Sequence, residues 1–258
     1  MQVLTFSSWL ETASSFILML PEWLQRLIFQ FNQTFVFEDR WRFFTDGLLV
    51  TFIVTIGALL LGVVIGLIIA IIRSSHDSMQ RKPPFILRVL NTICKIYLTV
   101  IRGTPMMVQL LIMGFVIMIP KTENQTVICG IVTLGINSGA YVAEIVRSGI
   151  MSINAGQSEA GRSLGFNYIQ TMLYIIVPQA FKNILPALGN EMITLLKDTS
   201  LVTVIALTDV TKAAQIIVSK TYTAIIPYLS LAAIYLIIVM ILTKLLAIFE
   251  RRLRKSER

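Results

Sequence analysis

The sequence predicts an all-α integral membrane protein with about five transmembrane helices, an N-terminal amphipathic helix in the membrane interface and a helix held in the cytoplasm. Three observations carry this. Hydrophobic residues make up 55% of the 258 and mean hydropathy is +0.77, while 14% carry charge, against roughly 25% in soluble domains. The apolar runs exceed the roughly 18 residues that mark membrane helices, and they are continuous where barrel strands would alternate. One polar, glycine-bearing stretch at 154–180 stands between them.

The N-terminal segment 1–45 mixes Trp9, Phe16, Trp23, Leu27 and Phe31 with Glu11, Glu22 and Arg26. That pattern suits one or two helices lying in the interface, anchored by the tryptophans. The run at Phe16–Leu20 ends at Pro21, too short to cross. The start lacks a basic region and a clean small-residue cleavage site, so no signal peptide is expected.

The transmembrane region is assigned to 46–250. A first span, 47–72, carries no charge over 26 residues, about 39 Å of helix, enough to cross with tilt. Gly62 and Gly66 form a small-residue pair of the kind that lets helices approach closely. A basic loop, 73–95, holds Arg73, Arg81, Lys82, Arg88 and Lys95. An amphipathic lead-in at 86–101 then precedes a second span at 101–119. Arg102, Gly103, Thr104 and Pro105 interrupt it: proline removes a helix hydrogen bond and glycine adds freedom. They are candidates for a gate or helix break, as is Lys197; a plain helix start with Pro105 near its first turn is the other reading. Further spans are read at 126–145, 184–207 and 224–249, followed by the basic tail 251–258.

Lys and Arg in the loops set orientation. The side shared by 73–95, 147–182 and the tail carries fourteen, Arg102 included, against six opposite. The C-terminus is therefore expected in the cytoplasm and the N-terminus outside. The net charge of +8 lies beside span ends, which reads as topology rather than nucleic-acid binding. Two cysteines, Cys94 and Cys129, and one histidine, His76, supply no metal site and little for hydrolytic chemistry.

Among the ionisable residues within the spans, where such groups are expensive and face partners or cavities, four are singled out: Glu144, Glu191, Lys197 and Asp198. Glu144 can pair with Arg147 three residues on, or line a substrate path with Asn137 and Ser138 above it. Lys197 and Asp198 are adjacent, hence about 100° apart on a helix, and are expected to have partners on other helices. Asp198 is also a path candidate.

In the polar stretch, Asn154 is placed to cap a helix with Gln157 as capping-box partner. The helix is expected over 157–164, with Glu159 and Arg162 able to pair. Gly165 is expected to end or turn it, and a second helix to run from Phe166 towards Pro178. Ala160 and Gly161 allow a close fit. By itself such a segment is either a solvated loop or a docking surface.

The spacing Glu159-Ala160-Gly161, three residues, Gly165, nine residues, then Ile175, Val177 and Pro178 resembles the Glu-Ala-Ala signature of the membrane (permease) subunits of bacterial ABC importers. It departs from that pattern at Gly161 and Val177. Arg102-Gly103-Thr104-Pro105, the run Gly139-Ala140-Tyr141-Val142-Ala143-Glu144-Ile145-Val146-Arg147 and Lys197-Asp198-Thr199-Ser200-Leu201 look like the polar amino acid branch, the histidine/glutamine/arginine/opine type. The likeness covers about 45–250 and leaves 1–45 unexplained.

The resemblance implies a type I ABC importer-like permease in the bacterial cytoplasmic membrane, carrying a polar amino acid. It implies a second permease subunit, the same chain or a homologous one, and an extracytoplasmic solute-binding protein. Glu159, Ala160, Gly161, Arg162 and Gly165 would form the helix that couples to a dimer of ATPase subunits. ATP and Mg would sit on those subunits, and this chain would be no enzyme; the sequence holds no Gly-x-x-x-x-Gly-Lys-Ser/Thr phosphate loop. An ion-coupled secondary carrier using Glu144, Lys197 and Asp198 should instead show an internal repeat, which these spans do not. A scaffold recruiting a soluble enzyme has no need of buried charges.

Overall fold

A computed structural model describes residues 5–13, 15–77, 79 and 82–255. Arg81 of the basic loop and residues 256–258 of the tail, Arg258 among them, lie outside the described residues. The elements are all helical, with no strand among the described residues. Four helices are long and apolar enough to cross a membrane, or five if one bent pair counts as a span. The chain divides into two compact units, Met1–Thr51 with Thr208–Ile238, and Phe52–Leu207 with Val239–Arg258.

In the first unit, α1 (Phe6–Thr12), α2 (Ser15–Leu18) and α3 (Glu22–Phe31) precede a widened turn at Asn32–Val36. Trp9 was expected to anchor in the interface; instead it is buried against Phe6 and Phe29, the latter at 5.4 Å between ring centroids. Trp23 and Trp41 are exposed. Arg40 is buried, its guanidinium donating to the Gln33 carbonyl at 2.9 Å and to Glu38 at 3.1 Å. α4 (Trp41–Asp77) begins here. Gly47 meets α11 (Val210–Thr221) so closely that a Cβ would lie 2.7 Å from the Asp209 carbonyl.

Asp209 caps α11, accepting from the backbone N–H groups of Thr211 at 3.1 Å and Lys212 at 2.9 Å. That satisfies donors a helix start leaves open. Burial pushes the Asp209 carboxyl up from its ordinary value, with those hydrogen bonds acting the other way. Phe44, Val210, Ala214 and Ile217 form the core. α12 (Ile225–Lys255) begins in this unit and ends in the other.

The second unit holds the rest of α4, then α5 (Phe85–Gly103), α6 (Met106–Ile112), α7 (Glu123–Met151), α8 (Ala155–Ser163), α9 (Tyr168–Thr171) and α10 (Val177–Asp198). Small residues zip α4 to α7. A Cβ at Gly62 would sit 2.9 Å from the Ser138 side chain, and one at Gly66 would sit 2.5 Å from Val142 Cγ1. The contact is reciprocal, since Gly135 receives Leu61 and Gly139 receives Ile65. The Gly62–Gly66 pair thus lets two membrane helices approach closely.

Two expected elements differ. The span expected at 101–119 is not one straight helix: α5 and the helical run Met106–Ile117 meet at 105°. Thr104 is extended at φ −117, ψ 142, and Pro105 stands as the N-cap of α6. Proline disfavours helical backbone in the residue before it and supplies no N–H of its own. The second difference is at Pro178, which does not end a helix. The chain stays helical from Tyr168 to Asp198, through a widened turn at Met172–Ile176. A wider turn relieves the clash between the proline ring and the carbonyl four residues back.

Candidate functional site

Three groups of residues in the second unit carry the sites expected from the sequence. The first is the polar segment. Asn154 caps α8, but it accepts from Gly156 N–H at 2.8 Å, and Gln157 completes no capping box. Gln157 instead accepts from Gln179 Nε2 at 3.3 Å. The reciprocal box lies at the next helix: Asn167 accepts from Gln170 N–H, and Gln170 accepts from Asn167 N–H, both at 2.9 Å. Its signal, Asn followed three residues on by Gln, was present in the sequence.

Gly165 ends α8 in the left-handed region at φ +83. Phe166 N–H reaches the Gly161 carbonyl at 3.0 Å and Gly165 N–H reaches the Arg162 carbonyl at 2.9 Å. These are the two bonds of a Schellman stop. Glu159 and Ala160 are exposed, whereas Gly161 is buried. A Cβ on Gly161 would lie 2.9 Å from Ile175 Cδ1 and Thr171 Cγ2. The close fit at Gly161 is therefore internal, seating α8 on the helix that follows. The expected Glu159–Arg162 ion pair is not formed among the described residues. Arg162 is exposed, and both side chains remain available to a partner.

The second group is polar and surrounds the break between α5 and α6. Gln109 donates to the Ile101 carbonyl at 2.8 Å and to Thr104 Oγ1 at 2.8 Å, and accepts from Asn137 Nδ2 at 3.0 Å. The carbonyl groups freed by the break thus find a donor, as membrane depth demands. Ser138 donates to Glu191 at 2.7 Å, and Tyr97 donates to the Ile136 carbonyl. Arg102 lies over the Tyr141 ring at 5.6 Å, and Gly103 is exposed. Gln109 and Tyr97 were not picked out from sequence; a lone glutamine after the proline was the available sign.

The third group is ionic. Glu144 does pair with Arg147, at 3.3 Å, but its shorter contact is with Arg73, at 2.6 Å and 71 residues away. Two guanidinium groups therefore neutralise Glu144 where α4 meets α7. Asn137 and Ser138 join the second group, so the structure does not bring Glu144 together with them. Lys197 is exposed and Asp198 half-buried. Neither forms the ion pair to another helix that the sequence suggested, among the described residues.

The chain is similar to known proteins in sequence and in fold. Residues 85–255 match the family described as binding-protein-dependent transport system inner membrane component. The arginine transport system permease protein ArtQ of Bacillus subtilis is 36% identical over 83% of this chain and 94% of its own length. The glutamine transport system permease protein GlnP of Escherichia coli is 38% identical over 64% of this chain and 77% of its own. The crystal structure of an amino acid ABC transporter with histidines aligns at TM-score 0.74 and 40% identity, over 91% of this chain and 100% of that one. An inward-facing MetNI methionine ABC transporter aligns at TM-score 0.67 and 18% identity, over 84% and 98%, a likeness of fold.

Proposed function

Because this chain belongs to the family of binding-protein-dependent transport system inner membrane components and is a membrane subunit of an ABC importer, we propose that it carries a polar amino acid into the cell, driven by ATP hydrolysis on a separate subunit. Relatives named for glutamine and arginine transport support the cargo class. ATP and Mg belong to a partner ATPase dimer, a second permease subunit completes the pathway, and a solute-binding protein delivers the cargo. The fourteen-to-six excess of Lys and Arg supports a cytoplasmic C-terminus and an N-terminus outside. The bacterial cytoplasmic membrane is the proposed location.

The observation that carries the coupling role is the exposed Glu159-Ala160 edge of α8, stopped at Gly165 and held from behind through Gly161. In this reading Glu159, Ala160, Arg162 and Gly165 meet the ATPase, and ATP-driven closure of the ATPase dimer moves α8. The break at Arg102–Pro105 is the inner gate. Ser138, Asn137 and Asp198 line the path, and the neutralised Glu144 holds α4 to α7. Co-purification of the ATPase subunit with wild type and Ala160→Glu tests the docking. Loss of the ATPase from an inserted variant is expected; recovery at wild-type yield would sink the proposal.

A further inference from the structure

Asn183, Asn190, Thr194 and Lys197 are all exposed on α10. At 100° per residue they fall within about 60° of one another, a single polar stripe about 21 Å long. The opposite side of the helix carries Phe181, Leu185, Leu188 and Met192. Only that second side suits lipid. The span runs from Tyr168 to Ile205, so Lys197 lies eight residues inside its end, at least about 12 Å. Ionisable groups at such depth face protein or a water-filled cavity, and Asn and Thr hydrogen-bond across helices.

The charges say what covers the stripe. Lys197 and Asp198 are opposite in sign and form no ion pair among the described residues. They point about 100° apart, and the line midway between them passes about 10° from Thr194. A two-fold axis along the membrane normal sets two copies of α10 parallel. Each flank of one helix then faces the opposite flank of the other, as beside the seam of a parallel coiled coil. With Thr194 on the seam, Lys197 of one copy faces Asp198 of the other, offset by about 1.5 Å in height. Symmetry repeats the pair. One chain thus supplies both halves of each pair in register; a different chain would have to bring a matching acid and base at the same level.

We propose that this chain pairs with a second copy of itself along the polar stripe of α10, closed by two Lys197–Asp198 ion pairs between the copies. This names the second permease subunit of the proposed function and rests on that reading only for there being a pair.

Disulfide cross-linking in membranes tests it, with two differently tagged copies of this chain produced together with the ATPase subunits. Thr194→Cys, on the seam, is expected to give a linked product carrying both tags. Wild type, whose Cys94 and Cys129 are buried, and Met240→Cys, on the exposed side of α12, should give at least tenfold less. In the Thr194→Cys background, Lys197→Asp and Asp198→Lys should each cut the product at least fivefold. Together they exchange the charges and should restore it to within twofold. No product from Thr194→Cys, equal product from Met240→Cys, or no recovery on exchange overturns the proposal. Native mass spectrometry of the wild-type complex needs no substitution, and two copies of this chain per ATPase dimer are expected. One copy beside a different permease overturns this proposal and leaves the proposed function standing; a single permease with no second one overturns both.

Discussion

Substituting Gly165 separates backbone conformation from space in the segment proposed to dock. The residue sits at φ +83, and a Cβ there would meet nothing within 4 Å. Within this chain any cost is therefore conformational. For an ordinary L-residue the left-handed region costs about 1–2 kcal/mol. Asparagine tolerates it better, and a β-branched residue is worst placed. If the Schellman stop must form for α8 to seat in a partner, that cost appears as weaker binding, about 5–30-fold for 1–2 kcal/mol. The expected order of affinity is Gly165, then Gly165→Asn, Gly165→Ala and Gly165→Val. The assay is binding of the purified ATPase subunit to permease in lipid nanodiscs, with circular dichroism confirming equal helix content. Equal binding across the series would refute the reasoning; so would a loss in Gly165→Asn as large as in Gly165→Val, because left-handed tolerance would then be irrelevant.

Other perturbations read other parts of the fold. Gly66→Leu places a side chain where Cβ alone would be 2.5 Å from Val142. Overpacking of about 1–3 kcal/mol should lower the unfolding temperature in detergent, while exposed Gly103→Ala should not. Glu144→Gln leaves Arg73 and Arg147 without their carboxylate and should cost about 1–3 kcal/mol; a double-mutant cycle with Arg73→Met should recover most of it, and additivity would count against the pair. Asp209→Ala removes the cap of α11 at about 1 kcal/mol, and Asp209→Asn should cost less. Because burial raises this carboxyl, its contribution is largest below the ordinary carboxylate value and falls as pH rises through the raised one. The Asn variant should thus gain on wild type between acid and neutral pH; thermal unfolding across that range is the check.

Much of this fold was legible because membranes impose simple rules. Long apolar runs become helices: the span at 126–145 lies inside α7, while the one read at 184–207 is helical only to Ile205, the last turn from Thr199 being tighter than α-helix. Gly165 marked its stop because a residue free of Cβ crowding adopts its backbone most readily. What was not legible depended on distance or on competition. Nothing near Glu144 points to Arg73, 71 residues earlier. Gln157 stood at the right spacing for a capping box but was taken by Gln179 from the next helix. Pro178 looked like a helix end, and a widened turn accommodated it instead. Trp9 matched the aromatic belt by type, yet Phe6 and Phe29 offered it a packed site.

The claim at the centre of this account is that α8 meets an ATPase on the cytoplasmic side. A photo-crosslinker attached at Ala160→Cys tests it directly in membranes containing the complete importer, with Tyr222→Cys as the comparison. Both positions are exposed, Tyr222 at 89%, and they fall on opposite sides in the proposed topology; the native Cys94 and Cys129 are buried. The account predicts a permease–ATPase adduct from position 160 and none from 222. An adduct from 222, or none from 160 in a complex that still transports, would contradict it.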